Sequence, residues 1–404
     1  MLTKPLAVVV LTEDARMLQA DVAGHPVSHY LMERLRQTGD VEIEVALGSG
    51  VTTPAWCAGY RAFGGGVPAG CDPILIVDAR AWLAPGLLEA LIGIVRARDT
   101  FVRVLESSTD QDRSSGQART LAAAFPARIF PDAVARGLTK IDRMMTWKWV
   151  DAAIRVEASD LQAAEPSSLL ESLVELAVVE QQLLRQRAMN ALRAGVRLRD
   201  PESIRIRGEL TCGTSVEIDL DVIIEGRVTL EDGVRVGAHS IVRDARIGQH
   251  TRIEPFSIVE SSSVGEHSLV GPYGRIRPGS TLGDRVQIGN YVEIKSSRIG
   301  SGSRINHHAF IGDADLADDV TIGAGTITCN HDGVGHVHTV IERAAYIGSG
   351  CQLVAPVRIG AGATVGAGST ITRDVPAAKL TVARSRQLTI DQWRGPRSQR
   401  EPRP

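Results

Sequence analysis

The sequence predicts two architectures in one chain: an α/β N-terminal part and a C-terminal parallel β-helix of hexapeptide repeats. Three observations carry this. From about residue 209 the chain repeats every six residues. Before about residue 165, short apolar β-rich runs alternate with helix-like segments. The composition shifts between the two. Of 40 glycines, 14 precede residue 196 and 26 follow it, whereas Trp56, Trp82, Trp147 and Trp149, four of the five tryptophans, lie in the first part.

Length and charge bound the function. A chain of 404 residues suggests two or three domains. Lys plus Arg is 45 and Asp plus Glu is 47, a net charge of -2 that argues for neither a nucleic-acid nor an anionic-membrane partner. With 43% hydrophobic and 23% charged residues the mix is that of a soluble globular protein. No run of about 18 apolar residues exists to span a bilayer. The opening MLTKPLAVVVLTEDARM reads as a buried strand, and the acidic residues behind it argue against a signal peptide. Cys57, Cys71, Cys212, Cys329 and Cys351 are odd in number and scattered, which points to reduced thiols and a cytoplasmic setting.

In chain order, Leu6 to Leu11 is a β-rich run, Val27 to Arg36 is helix-like, and Ile74 to Val77 is a buried strand ending at Asp78. These belong to an α/β domain over 1–165. A connecting helix follows over 166–195. Ser168 and Glu171 have capping-box spacing. Leu169, Leu173, Leu176, Leu183 and Met189 fall mostly on one face, and Gly195 is a C-terminal stop.

The solenoid is expected over 196–384, with a basic tail over 385–404. Its hexapeptides include VGAHSI (236–241), IGQHTR (247–252), IGNYVE (288–293), INHHAF (305–310), IGAGTI (322–327) and VGAGST (365–370). Each aliphatic residue should point into a triangular prism, three hexapeptides to a turn. A Gly-rich disordered segment would not hold that register. The 328–346 stretch breaks the repeat and is expected to project as a loop. Spacing does not set handedness; known hexapeptide proteins of this kind wind left-handed, against the usual crossover rule.

Specific segments go further than the repeat. AGVRLRDPESIRIRGELTCGTSVEIDLDVIIEG (194–226), GPYGRIRPG (271–279), GNYVEIKSSRIGSGS (289–303), IGAGTITCNHDG (322–333), LVAPVRIGAGATVGAGSTITRDV (353–375) and Trp393 resemble GlmU-type enzymes. That family fuses an N-acetylglucosamine-1-phosphate uridyltransferase to a glucosamine-1-phosphate N-acetyltransferase. The resemblance covers 194 to 395, about half the chain. It implies a homotrimer with the acetyl-CoA site between neighbouring solenoids.

Residue by residue, the resemblance makes His307 the catalytic base. The chemistry asks for one, because a sugar ammonium must lose a proton before it attacks a thioester. His308 has no such counterpart. Arg277 and Lys295 match the sugar-phosphate contacts, suited to a phosphate monoester. Asn330, Ala324, Ser349, Ala367 and Arg384 match acetyl-CoA or amino-sugar positions. The departures are Phe310 for a tyrosine, Thr321 for an asparagine, His331 for a tyrosine and His336 for a loop lysine. Lost polar contacts shift specificity, toward a related amino sugar.

The first part resembles a degenerate nucleotidyltransferase-like domain. The family opens with a glycine-rich phosphate loop. Here TEDARM follows the first strand; Arg16 and Met17 survive, the glycines do not, and Thr12, Glu13 and Asp14 put two carboxylates where a triphosphate would lie. Gly64, Gly65 and Gly66 stand in the wrong context. Asp78 matches a metal-binding aspartate, but its asparagine partner has no counterpart in EASDLQAAEPSS. Magnesium is therefore expected only if the uridyltransferase half is active. His336 and His338 have zinc-like spacing but no cysteine or acidic companion in sequence, so no metal site is expected.

The reading is an acetyl-CoA-dependent N-acetyltransferase acting on an amino-sugar 1-phosphate, glucosamine 1-phosphate or a relative. Its rivals are a fully bifunctional enzyme that also makes UDP-N-acetylglucosamine from UTP and a non-catalytic trimeric scaffold.

Overall fold

A computed structural model describes residues 4–11, 21–38, 41–47, 60–62, 71–83, 87–98, 102–105, 120–125, 154–157, 168–169, 172–389 and 391. Contacts group the chain into two units, 1–184 and 185–404.

The first unit is α/β. Lys4–Leu11, an apolar run, forms a strand flanked by Glu42–Leu47 and Cys71–Asp78, both parallel to it. The seven-stranded sheet runs 154–157, 102–105, 120–125, 71–78, 4–11, 42–47, 61–62. It is mixed: Thr120–Phe125 is antiparallel to both of its neighbours. Helices α1 (Val27–Gln37) and α2 (Leu87–Arg98) bury Leu31, Leu35, Leu88 and Leu91 in one core with Leu75 and Val77. Trp82 is buried there as well. Arg16, Met17, the 12–14 acidic run and Gly64 to Gly66 lie outside the described residues.

Helix α3 spans Leu173–Arg193, and it corrects two expectations. Ser168–Leu169 is a short strand antiparallel to Ala81–Trp82, so Ser168 is not a helix cap. The capping box is one turn later: the amide of Ser172 donates to Glu175 Oε2 at 2.8 Å, and that of Glu175 to Ser172 Oγ at 3.2 Å. The buried stripe is Val179, Leu183, Leu184 and Ala188, whereas Leu173 is 75% exposed and Met189 is exposed too. The helix stops as expected at Gly195, with φ +93°. Val196 N–H reaches Ala191 O and Gly195 N–H reaches Leu192 O, the double bond of a Schellman motif.

The second unit is a left-handed parallel β-helix. One wall is an eleven-stranded sheet, and the other two walls share a seventeen-stranded one. Every strand pairs in parallel with the coil before and after it, as in Ile224↔Val242↔Val259↔Ile276↔Ile294. Between residues 217 and 321 successive coils are 17 or 18 residues apart, as from Arg235 to Arg252 and from Leu269 to Gln287. The aliphatic repeat positions stack inside as three columns. Ile253, Val270, Ile288 and Ile305 belong to one, Val259, Ile276 and Ile294 to the next, and Val264, Leu282 and Ile299 to the third; all are buried. Removing any one of these large side chains leaves a cavity costing ~2–5 kcal/mol.

The break in the repeat is shorter than expected. Between Thr321 and Tyr346 the coil takes 25 residues. Only about 330–338 leaves the wall, as a hairpin bridged between His331 and His336. Thr339–Ile341 is back in register with Ala314–Leu316 and Val357–Ile359, because Thr339 and Ile341 point inward. Just before the insertion, Phe310–Gly312 and Ile327–Cys329 pair only at Phe310↔Ile327. The buried Thr328 hydroxyl closes that gap, donating to Gly312 O at 3.0 Å and accepting Gly312 N–H at 2.8 Å. Thr328→Val should strand both backbone groups and cost about 1–3 kcal/mol, seen as a lower urea midpoint with unchanged slope.

Among the described residues, no helix is long and apolar enough to cross a membrane.

Candidate functional site

His307 ends the strand Arg304–His307, in register with Asn290 on the coil below. Its Nδ1 lies 2.8 Å from Asn290 Oδ1. A carboxamide oxygen only accepts, so Nδ1 carries a hydrogen, the tautomer that leaves the lone pair of a neutral ring on Nε2. His307 is exposed, so Nε2 is open to a substrate. The repeat shows no reason to single out Asn290; only the stacking of coils puts it beside His307. His308 turns the other way. It sits at a corner with φ +47° and its ring stacks on Tyr291 at 5.0 Å.

That corner carries a column of rings that gives way to glycines. One left-handed residue per coil occupies it: His239, Phe256, Tyr273, Tyr291 and His308. Their rings stack at 4.8 to 5.1 Å. Above His308 the same position is held by Gly325, Gly350 and Gly368, at φ +72°, +70° and +73°. The amide of Gly325 donates to His307 O, that of Gly350 to Ala324 O and that of Gly368 to Ser349 O. The column of rings ends there, and a bare strip of backbone runs on from His307. Ala324, Ser349 and Ala367 each immediately precede one of these glycines. Arg384 lies at the far end, donating to Ala367 O at 2.7 Å. Four residues scattered over 61 positions are thus brought into one line with His307.

The neighbouring wall carries the cations. Arg277 and Lys295 lie on successive coils, Arg277 N–H reaching Ile294 O at 2.8 Å. Arg277 Nη1 pairs with Glu293 Oε1 at 2.7 Å. Lys295 Nζ is 3.9 Å from Asp313 Oδ2. Asn330, 9% exposed, donates its amide to the same Asp313 oxygen. Phe310 covers Gly312, where an added Cβ would lie 2.7 Å from both the Phe310 ring and Asn330 Nδ2. So Lys295, Phe310 and Asn330 converge. Asp313, which joins two of them, was not marked by any sequence pattern. Thr321 is not with this group: it lies on the eleven-stranded wall, in register with Arg304 and Tyr346.

Three further groups bear on the chemistry. Burial pushes the Cys212 thiol up to about 11, which keeps it protonated and unreactive. His336 and His338 pair with carboxylates, Nδ1 with Asp313 at 3.2 Å and Nε2 with Asp315 at 3.0 Å. Among the described residues no three His, Cys, Asp or Glu side chains converge as a metal would need. In the first unit Asp78 is 2% exposed at the end of its strand. Arg80 Nε donates to its Oδ1 at 3.1 Å and Arg80 Nη2 to its Oδ2 at 2.9 Å. A carboxylate gripped on both oxygens by a guanidinium does not fit a magnesium ion, which needs several oxygen ligands.

The chain matches known families over both parts of the solenoid. Residues 206–299 match the family described as "GMPPB C-terminal domain" and residues 338–373 match "Bacterial transferase hexapeptide (six repeats)". The bifunctional protein GlmU of Azoarcus sp. (strain BH72) is 50% identical over 228 residues, 56% of this chain and 50% of that protein. The same protein of Ralstonia pickettii (strain 12J) is 50% identical over 250 residues, 61% of this chain and 55% of its own. The chain thus spans about half the length of these curated relatives. The GlmU of Herminiimonas arsenicoxydans aligns further, 41% identical over 312 residues, 75% of this chain and 69% of that one. Sustained identity from the first unit through the solenoid means that the chain belongs to the GlmU family.

Proposed function

We propose that the protein is an acetyl-CoA-dependent N-acetyltransferase acting on an amino-sugar 1-phosphate. The observation that carries the reading is His307, exposed at the start of a line of glycine corners, with Nδ1 held by Asn290 at 2.8 Å. Arg277 and Lys295 take the acceptor's phosphate. Phe310 and Asn330 flank the sugar. The strip past Ala324, Ser349 and Ala367 takes the long, thin arm of acetyl-CoA, and Arg384 its phosphates. The acceptor ammonium gives one proton to solvent, and His307 Nε2 takes a second from the nitrogen as the resulting amine attacks the thioester carbonyl. A backbone amide near Ala324 stabilises the oxyanion. Collapse breaks the C–S bond, and the leaving thiolate takes the proton from His307 to give CoA–SH. No acyl-enzyme is required.

Thr321 stands on the wall that carries His307, one coil on, rather than beside Lys295. The family resemblance supports a homotrimer whose sites lie between solenoids. The test is purified protein with acetyl-CoA and a panel of amino sugars and their 1-phosphates, with free CoA measured. Glucosamine 1-phosphate or a related amino-sugar phosphate should release CoA, and amino sugars without phosphate should do so far more slowly. No CoA release with any amine would leave a trimeric scaffold as the better reading.

A further inference from the structure

His336 occupies a fixed place for which the reaction has no use yet. The hairpin that carries it is held at its tip by Asp332, whose Oδ1 accepts the amides of Val334 and Gly335, both at 2.8 Å. Those bonds, Gly335 first, keep the Asp332 carboxyl below the usual range. At its base the hairpin lays His336 between two charges on the wall. Nε2 is 3.4 Å from Lys295 Nζ, and Nδ1 is 3.2 Å from Asp313 Oδ2. An ammonium has only hydrogens to offer, so Nε2 meets it as a lone pair and Nδ1 carries the hydrogen toward the carboxylate. The imidazole thus links one cation to one anion.

A phosphate arriving at Lys295 competes with Nε2 for the ammonium's three hydrogens. The Nε2 lone pair then loses its donor and faces an anion, which is repulsive. One proton at Nε2 turns it into a second donor. We infer that His336 recognises the acceptor's phosphate by taking up a proton as the acceptor binds, with Asp313 as the positioning residue that holds the imidazole. This rests on the acceptor site proposed above. The charged and titratable groups facing His336 are Lys295 and Asp313 on the wall. On its own hairpin they are His331, edge-on at 5.5 Å, and Asp332 at the tip. His338 is turned to a different carboxylate, Asp315. Lysine and aspartate side chains keep their charge across the neutral range, and an imidazole does not.

The experiment is calorimetric binding of N-acetylglucosamine 1-phosphate to the full chain, in buffers of different ionisation enthalpy. This probe has no amine to titrate, and its phosphate is a dianion above about pH 7. The wild type should take up about half to one proton per site near pH 8, and its affinity should fall up to about tenfold per unit as pH rises. H336K, which carries its charge permanently, should bind without proton uptake and with a flat pH dependence. H336Q should lose uptake and bind about 10–100-fold more weakly. D313N, acceptable at φ +49° because asparagine tolerates left-handed backbone, should weaken uptake while the protein stays folded. Wild-type binding without uptake, or uptake that persists in H336K, overturns the inference and leaves the acceptor site standing. Failure of the wild type to bind at any pH overturns the acceptor site, and the inference with it.

Discussion

His307→Ala is expected to lower acetyl transfer by about 10²–10⁴-fold with KM little changed and the assembly intact. The effect follows from what Nε2 does. The acceptor arrives as an ammonium, and only its deprotonated form has the lone pair that attacks. His307 is exposed and packs no core, so its removal costs chemistry rather than stability. Asn290→Ala should act in the same direction but less strongly, about tenfold, because it frees the ring to take the other tautomer. His308→Ala is the control. Its ring belongs to the corner stack on Tyr291, so turnover should change little. Turnover in His307→Ala that matches the wild type would remove His307 as the base. Solvent or another side chain would then have to take the proton.

Pyrophosphate release from UTP and an N-acetylated sugar phosphate with Mg²⁺ should stay at background. The family half that would do this needs a metal held by several oxygens and a triphosphate cradled by backbone amides. Asp78, the matching carboxylate, is buried and spends both oxygens on Arg80. Arg80→Ala should not restore the activity, because one aspartate alone is too few ligands. Robust release in the wild type, abolished by Asp78→Ala, would overturn this and make the chain bifunctional. UTP binding without release would keep the site non-catalytic.

The candidate cations and the candidate base could be named from the sequence because the surrounding motifs resemble one family. Their partners could not. Asn290, Asp313 and Glu293 are ordinary polar residues on ordinary repeat positions, and they matter only through the coil stacked on each. Helix α3 shows the same limit at short range. Two serine–glutamate pairs four positions apart offer a capping box, and the sequence pattern alone favours neither. The pairing of Ser168 with Trp82 decides for Ser172. The apolar residues of that helix were also ambiguous, since an amphipathic stripe shows which residues could be buried, and the packing partner selects Val179, Leu183, Leu184 and Ala188.

By itself the sequence determined the solenoid and the residues inside it, while its coils of mostly 17 or 18 residues fall at or just short of three hexapeptides. A six-residue period of aliphatic side chains has one low-energy solution, in which every third hexapeptide completes a turn and the apolar columns exclude water. It also determined that the N-terminal part alternates strands and helices. Tertiary structure alone decided the extent of the insertion, the turning apart of His307 and His308, and the line of glycines that runs from His307 to Arg384. The reason is distance along the chain. Repeat periodicity is local and survives in any window. The site depends on residues 16 to 41 positions apart, and only the winding of the backbone brings those into contact.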